Sequence, residues 1–240
     1  MDDPGLKRQR EPGTGSSMLS LVAALLMAGC AWQEPSAGRA LATPNEPQPI
    51  RPPAIGQQWV YQVRDLYTGR VVDRLTETVL AVSPEVTISR LSDKYGVLPS
   101  EVQRPWGRYA QDAQWDRPLQ FGVPAPAWPD GMGAASWSGE YRIGGLSDYR
   151  YPWSQTLRPL QWELVKVAAG TFETLHYTVH IVYAGPEDYY YVGSERDASV
   201  WLAPRVGRWV LRRARGVHYV PGHGGDDLDD AMQWELVSWR

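Results

Sequence analysis

At 240 residues and 43% hydrophobic content, the chain is too apolar for wholesale disorder and long enough for one large β domain. Its 24 Lys+Arg against 27 Asp+Glu give a net charge of −3. The first 29 residues hold three charges of each sign, so the remainder carries the same −3, which does not suit a phosphate-backbone binder; no nucleic-acid partner is expected. Aromatic usage is lopsided, with 12 Trp and 13 Tyr against 2 Phe.

Lys7, Arg8 and Arg10 precede an apolar run from Met18 to Ala28, about 11 residues, too short for a bilayer that needs about 20. It reads as the core of a secretory signal. The run ends at Met27-Ala28-Gly29-Cys30, and Cys30 is the only cysteine. Small residues at 28 and 29 admit a peptidase, and the thiol that follows can be acylated, so the segment resembles the lipobox of bacterial lipoproteins. The resemblance implies removal of 1–29, acylation of Cys30 and attachment to a membrane by lipid alone, stable once two or more acyl chains are present. Ala31, where an inner-membrane signal would have Asp, implies the outer membrane, facing the periplasm.

Residues 30–55 contain Pro35, Pro44, Pro47, Pro49, Pro52 and Pro53 and no apolar periodicity, so they are expected to form a disordered linker. Extended at about 3.1 Å per residue, it would reach roughly 80 Å. The β domain is expected over 56–240. Trp59, Tyr61 and Val63 alternate with polar residues, and Thr68-Gly69 separates that strand from one over 70–82, a hairpin pattern. Further strands are expected at 85–91, 106–112, 139–143, 160–167, 172–183, 188–193, 198–203, 208–216 and 231–239. Helical periodicity is missing, so the fold class is all-β: an antiparallel sandwich or open barrel of about ten strands. Pro- and Gly-rich residues 118–139, around Trp128 and Trp137, are expected to be a long loop or a seam between two β halves. Leu160–Val165 and Met232–Val237 share Gln-Trp-Glu-Leu-Val, expected to mark two strands in similar surroundings more than a duplication.

Val167-Ala-Ala-Gly-Thr-Phe-Glu173 resembles the V-P-A-G-T-F element of bacterial periplasmic domain-of-unknown-function β proteins, with Ala168 in place of Pro. Trp201-Leu-Ala-Pro-Arg-Val-Gly207 resembles their W-Y-A-P-x-x-G hairpin, and Gly56–Tyr61 their first strand. The resemblance implies a β fold in the cell envelope and no known reaction. Gly170 suits a turn needing positive φ, Pro204 a turn corner, and Gly207 the swing into the next strand.

Chemistry is sparse. His176 and His180 share a strand face roughly 13 Å apart, too far for one ion, and are expected in solvent. His218, His223, Asp226 and Asp227 are weak metal candidates on what reads as an acidic loop, and neither metal nor cofactor is expected. No Gly-x-Ser-x-Gly or Ser-x-x-Lys occurs, and no catalytic residue is assigned. Arg205, Arg208, Arg212, Arg213 and Arg215 are expected to form a solvated positive stripe paired with Asp226–Asp230. Most Trp and Tyr are expected in the core, with Trp128, Trp137, Tyr189, Tyr190 and Tyr191 as candidate ligand or partner contacts. The expected function is a lipid-anchored, non-enzymatic accessory or binding subunit that engages another envelope component. The alternative is a carrier of an acyl or glycan ligand in an aromatic-lined β cavity.

Overall fold

The computed structural model describes residues 37–46, 48–113, 118–145, 148–184, 193–219 and 226–240, with the backbone alone at 219 and 226–229. Cys30, Tyr189, Tyr190, Tyr191 and His223 lie outside the described residues.

The β unit is an up-and-down meander. Its strands are β2 (Gln58–Asp65), β3 (Val71–Ala81), β4 (Val86–Ser92), β5 (Gly96–Gln103), β6 (Arg108–Asp112), β7 (Leu119–Pro126), β8 (Ala135–Ile143), β9 (Tyr151–Val167), β10 (Gly170–Ala184), β11 (Gly193–Ala203), β12 (Arg208–Tyr219) and β13 (Asp226–Trp239). Each pairs antiparallel with the next, and β13 returns to β2 with Trp239 opposite Trp59, closing a 12-strand barrel. A further short strand, β1 (Arg39–Leu41), lies on β9 opposite Leu164 to Trp162, beyond the point where β8 leaves that edge at Leu157.

Period-2 patterning builds the wall. Along β4, Val86, Ile88, Arg90 and Ser92 are buried and the residues between them are less so. A barrel of about eight strands is filled by ordinary side chains, whereas about sixteen leave a channel. Twelve strands enclose more than Val and Leu alone would fill, and here Trp59, Tyr61, Tyr177, Trp209 and buried arginines occupy the space. That is the physical reason for the Trp/Tyr surplus. The outer wall carries charge: His180, Asp197 and Arg215 stand side by side on β10, β11 and β12, each about half exposed. A lipid-facing barrel would present an apolar band there.

Several expectations change. Residues 118–139 are neither a loop nor a seam, because β7 and the start of β8 run through them. Pro124 is tolerated because the β7–β8 ladder covers only Leu119 to Phe121, and β7 meets β6 on its other side at Ala125 and Pro126. Asp226 and Asp227 lie on β13 opposite Tyr219 and His218, not in a loop. Within the segment read as linker, Arg39–Leu41 is paired, the Arg51 amide donates to Pro204 O at 3.0 Å, and Ile50 packs against the core. Residues 37–55 are therefore an arm laid along the barrel. Gly207 makes room for it: φ is +74°, and a Cβ would stand 2.5 Å from Arg51 O.

Candidate functional site

The barrel interior is held by a four-residue ionic network. Arg208, from the start of β12, sends both terminal nitrogens to the Glu101 carboxylate at 2.9 and 2.8 Å and its Nε to Glu77 at 2.7 Å. Arg90 donates to the other Glu77 oxygen at 3.3 Å and to Ala113 O. Gln103 donates to Glu101 at 2.7 Å and accepts the Gly107 amide. Arg208, Glu77 and Glu101 are each at most 2% exposed. Two guanidinium groups against two carboxylates leave no net charge, and the bidentate fork satisfies most of the donors and acceptors. Burial alone would push the Glu101 carboxyl up, but Arg208 and Gln103 hold it below the ordinary range. Burial likewise works against the Arg208 charge, and the two carboxylates override it. A carboxylic acid poised near neutrality would be needed for general acid work, and Glu101 is moved the opposite way.

A void of about 30 Å³ is bounded by Tyr109, Asp112, Gln155, Tyr177, Trp209 and Arg212 among others. Burial lowers the Arg212 pKa, and its Nε has no hydrogen-bond partner among the described residues. A space of that size takes one or two waters and no acyl chain.

On the opposite side of the β10–β13 wall, polar and aromatic groups form a row. Glu163 Oε1 accepts from Gln161 at 2.9 Å and meets His176 Nδ1 at 2.8 Å, while Oε2 accepts from Trp201 Nε1 at 3.0 Å. His176 stacks on Trp201 with ring centroids 4.2 Å apart, and the Arg213 guanidinium lies 5.5 Å from the Trp201 ring centroid. Burial would raise the Glu163 carboxyl, and the donors from Gln161, Trp201 and His176 bring it below its usual value. His176 is 2% exposed. The expectation of a solvated histidine therefore fails at His176 and holds at His180, whose side chain is 48% exposed. Alternation places His176 away from the lumen correctly; sequence alone does not show that this outer face is itself covered.

The positive stripe also divides by alternation. Arg208 and Arg212 point inward and are buried, Arg205 is exposed on the turn, Arg213 donates to Gln233, and Arg215 pairs with Asp197. Asp230 does take an arginine, but it is Arg196 of β11, at 2.6 Å. Trp128 stacks edge-on with Trp106 at 5.3 Å and presses on Gly107; Trp137 packs against both apolar clusters. His218 opposes Asp227 in backbone register, and no group of three metal-ligating residues converges among the described residues.

The two echoed segments, on β9 and β13, have different surroundings. Glu163 is fully buried in the row just described, whereas Glu235 is partly exposed and accepts the Ala168 amide at the β9–β10 turn.

A second hollow, of about 310 Å³, opens outside the barrel where the β9–β10 hairpin, the β11–β12 turn and the arm meet. Sequence reasoning misses it, because its residues belong to three distant segments.

Fold and sites together define a closed antiparallel β-barrel with an arm held on β9 and on the β11–β12 turn. No family model and no curated protein matches the chain. Among solved structures, it is similar to a Parabacteroides distasonis protein described provisionally as a lipoprotein, with a TM-score of 0.50, 14% identity, and 79% of this chain and 97% of that one covered. A Bacteroides fragilis protein described provisionally as exported, with a YmcC-like fold, gives 0.46, 13%, 80% and 97%. The hypothetical lipoprotein YmcC of Escherichia coli gives 0.39, 13%, 78% and 89%. At these identities the likeness is one of fold.

Proposed function

We propose that the protein is a lipid-anchored component of the bacterial cell envelope whose barrel acts as a non-enzymatic accessory or binding module. The observation that carries the choice between accessory and lumen carrier is the packing around Trp209 and Arg212: charged and aromatic side chains occupy the interior there, and the hollow they leave, about 30 Å³, is too small for an acyl chain or glycan. The Cys30 signal supports the anchor, and the fold shared with a protein described provisionally as a lipoprotein agrees with it. The paired arm changes the geometry of attachment. Arg39 lies nine positions after Cys30, a reach of about 30 Å at most, not the roughly 80 Å of a free linker. The barrel is thus held close to the membrane by the end that carries the β9–β10 turn.

Metabolic labelling with a palmitate analogue and detergent-phase partitioning test this reading. The full chain should take up label and enter the detergent phase, and Cys30→Ala should do neither. Identical behaviour of the two chains defeats the anchor. Native mass spectrometry of the Cys30→Ala chain should show no bound acyl mass; a co-purifying acyl mass that disappears after denaturation and refolding would favour the carrier.

A further inference from the structure

The outer hollow has the composition of a recognition site. Its lining is mainly polar, with a small apolar contribution from Trp162, on β9, 8% of whose surface is exposed, and from Pro204. Four polar side chains stand around it: Gln48 from the arm, Thr171 and Glu173 from β10, and Arg205 from the β11–β12 turn. All four are exposed, and none makes a side-chain hydrogen bond or ion pair with another described residue. The register accounts for the convergence. Leu164 faces Glu173 and Lys166 faces Thr171 across the hairpin, so Trp162, Leu164, Thr171 and Glu173 share one face. The turn and the arm wall that face in, and the Arg51 to Pro204 hydrogen bond fixes those two relative to each other.

The rim selects the ligand chemistry. One carboxylate and one guanidinium cancel, so neither an anion nor a cation is favoured by net charge. Amide, hydroxyl, carboxylate and guanidinium together offer donors and acceptors on every side, which an acyl chain cannot use. A small apolar contact at Trp162 and Pro204 under such a rim matches a compact, hydroxyl-rich ligand. About 310 Å³ sits at the small end of ligand sites, which run from about 300 to 1,000 Å³. We propose that this cleft is a binding site for a short neutral saccharide, held at its hydroxyls by Gln48, Thr171, Glu173 and Arg205 and resting on the small exposed part of Trp162. The site lies outside the barrel, so it is compatible with a filled lumen, and it does not depend on lipidation.

The test uses the full Cys30→Ala chain, so that failure of the anchor and failure of the cleft are read separately. Screened on an array of bacterial surface glycans, it should bind members of the neutral group, and calorimetric titration with the best neutral oligosaccharide should give a measurable dissociation constant. Arg205→Ala and Glu173→Gln, both exposed and outside the core, should each weaken that constant about tenfold. His180→Ala, on the outer wall, should leave it unchanged. Trp162 packs in the core, so its removal would test the fold as much as the cleft, and the two rim variants decide the matter. An array with no binding, binding confined to acidic glycans, or a dissociation constant indifferent to both rim substitutions overturns the proposal.

Discussion

Arg208 is the residue on which the interior depends. Its partners Glu101 and Glu77 lie 107 and 131 positions away in the chain, so no spacing rule connects them, and the sequence reading places Arg208 on the surface. Removing one partner strands a buried guanidinium. Glu101→Gln should therefore lower unfolding free energy by about 3–5 kcal/mol in urea denaturation. Glu173→Gln, on the surface, should change it by no more than about 0.5 kcal/mol. The same carboxylates make the fold acid-sensitive. Glu101 and Glu163 are held below the ordinary Glu value of about 4.3, so their stabilisation is present above that value and is lost as pH falls through their lower folded values. The urea midpoint should be flat from about pH 7 to 5 and fall below about pH 4. In Glu101→Gln that fall should be shallower; an equally steep one would assign the acid sensitivity elsewhere. What was legible at this scale was alternation: Trp59, Tyr61 and Val63 were expected on one face and are buried. His176 shows the limit, since parity gives its side of the strand but not the second covering that buries it.

Among the elements, those with uninterrupted period-2 patterns, β2, β3 and β10, were legible close to their ends. β7 was not, because its prolines read as breakers and only the register shows that they fall where the β7–β8 ladder is not formed. The arm was illegible for another reason: three paired residues in a Pro-rich segment carry no periodic signal, and their partner strand is more than 120 positions on. The turn that receives the arm was foreseen in its chemistry. Pro204 and Gly207 stand at its corner and its exit as expected; the φ of +74° at Gly207 and the close approach of Arg51 O are requirements that sequence could not reveal. Gly207→Ala should cost about 1–3 kcal/mol through backbone strain and the clash with Arg51. Its particular signature should be at the arm: faster amide exchange at Arg51 and faster proteolysis within 42–50, while exchange in β3 and β4 is little changed.

For the whole molecule, closure of the meander places β2 beside β13, and the Gln58 amide and carbonyl both bond to Arg240. Every other ladder between barrel strands joins neighbours in sequence, whereas this one spans the entire barrel. A chain ending at 225 should lack that seam and expose β2 and β12 as open edges; we expect aggregation and dye binding instead of a cooperative melt, and a cooperative melt would show that the seam is dispensable. The seam also sets an order of events in time. Eleven hairpin-like pairings can form as the chain emerges, but the barrel cannot shut, and the buried Arg208 network cannot be sealed from water, until the last fourteen-residue strand is delivered. A polypeptide built this way commits to its native state only when β13 pairs with β2, so ring closure, and not the pairing of any one hairpin, is the step expected to limit its folding.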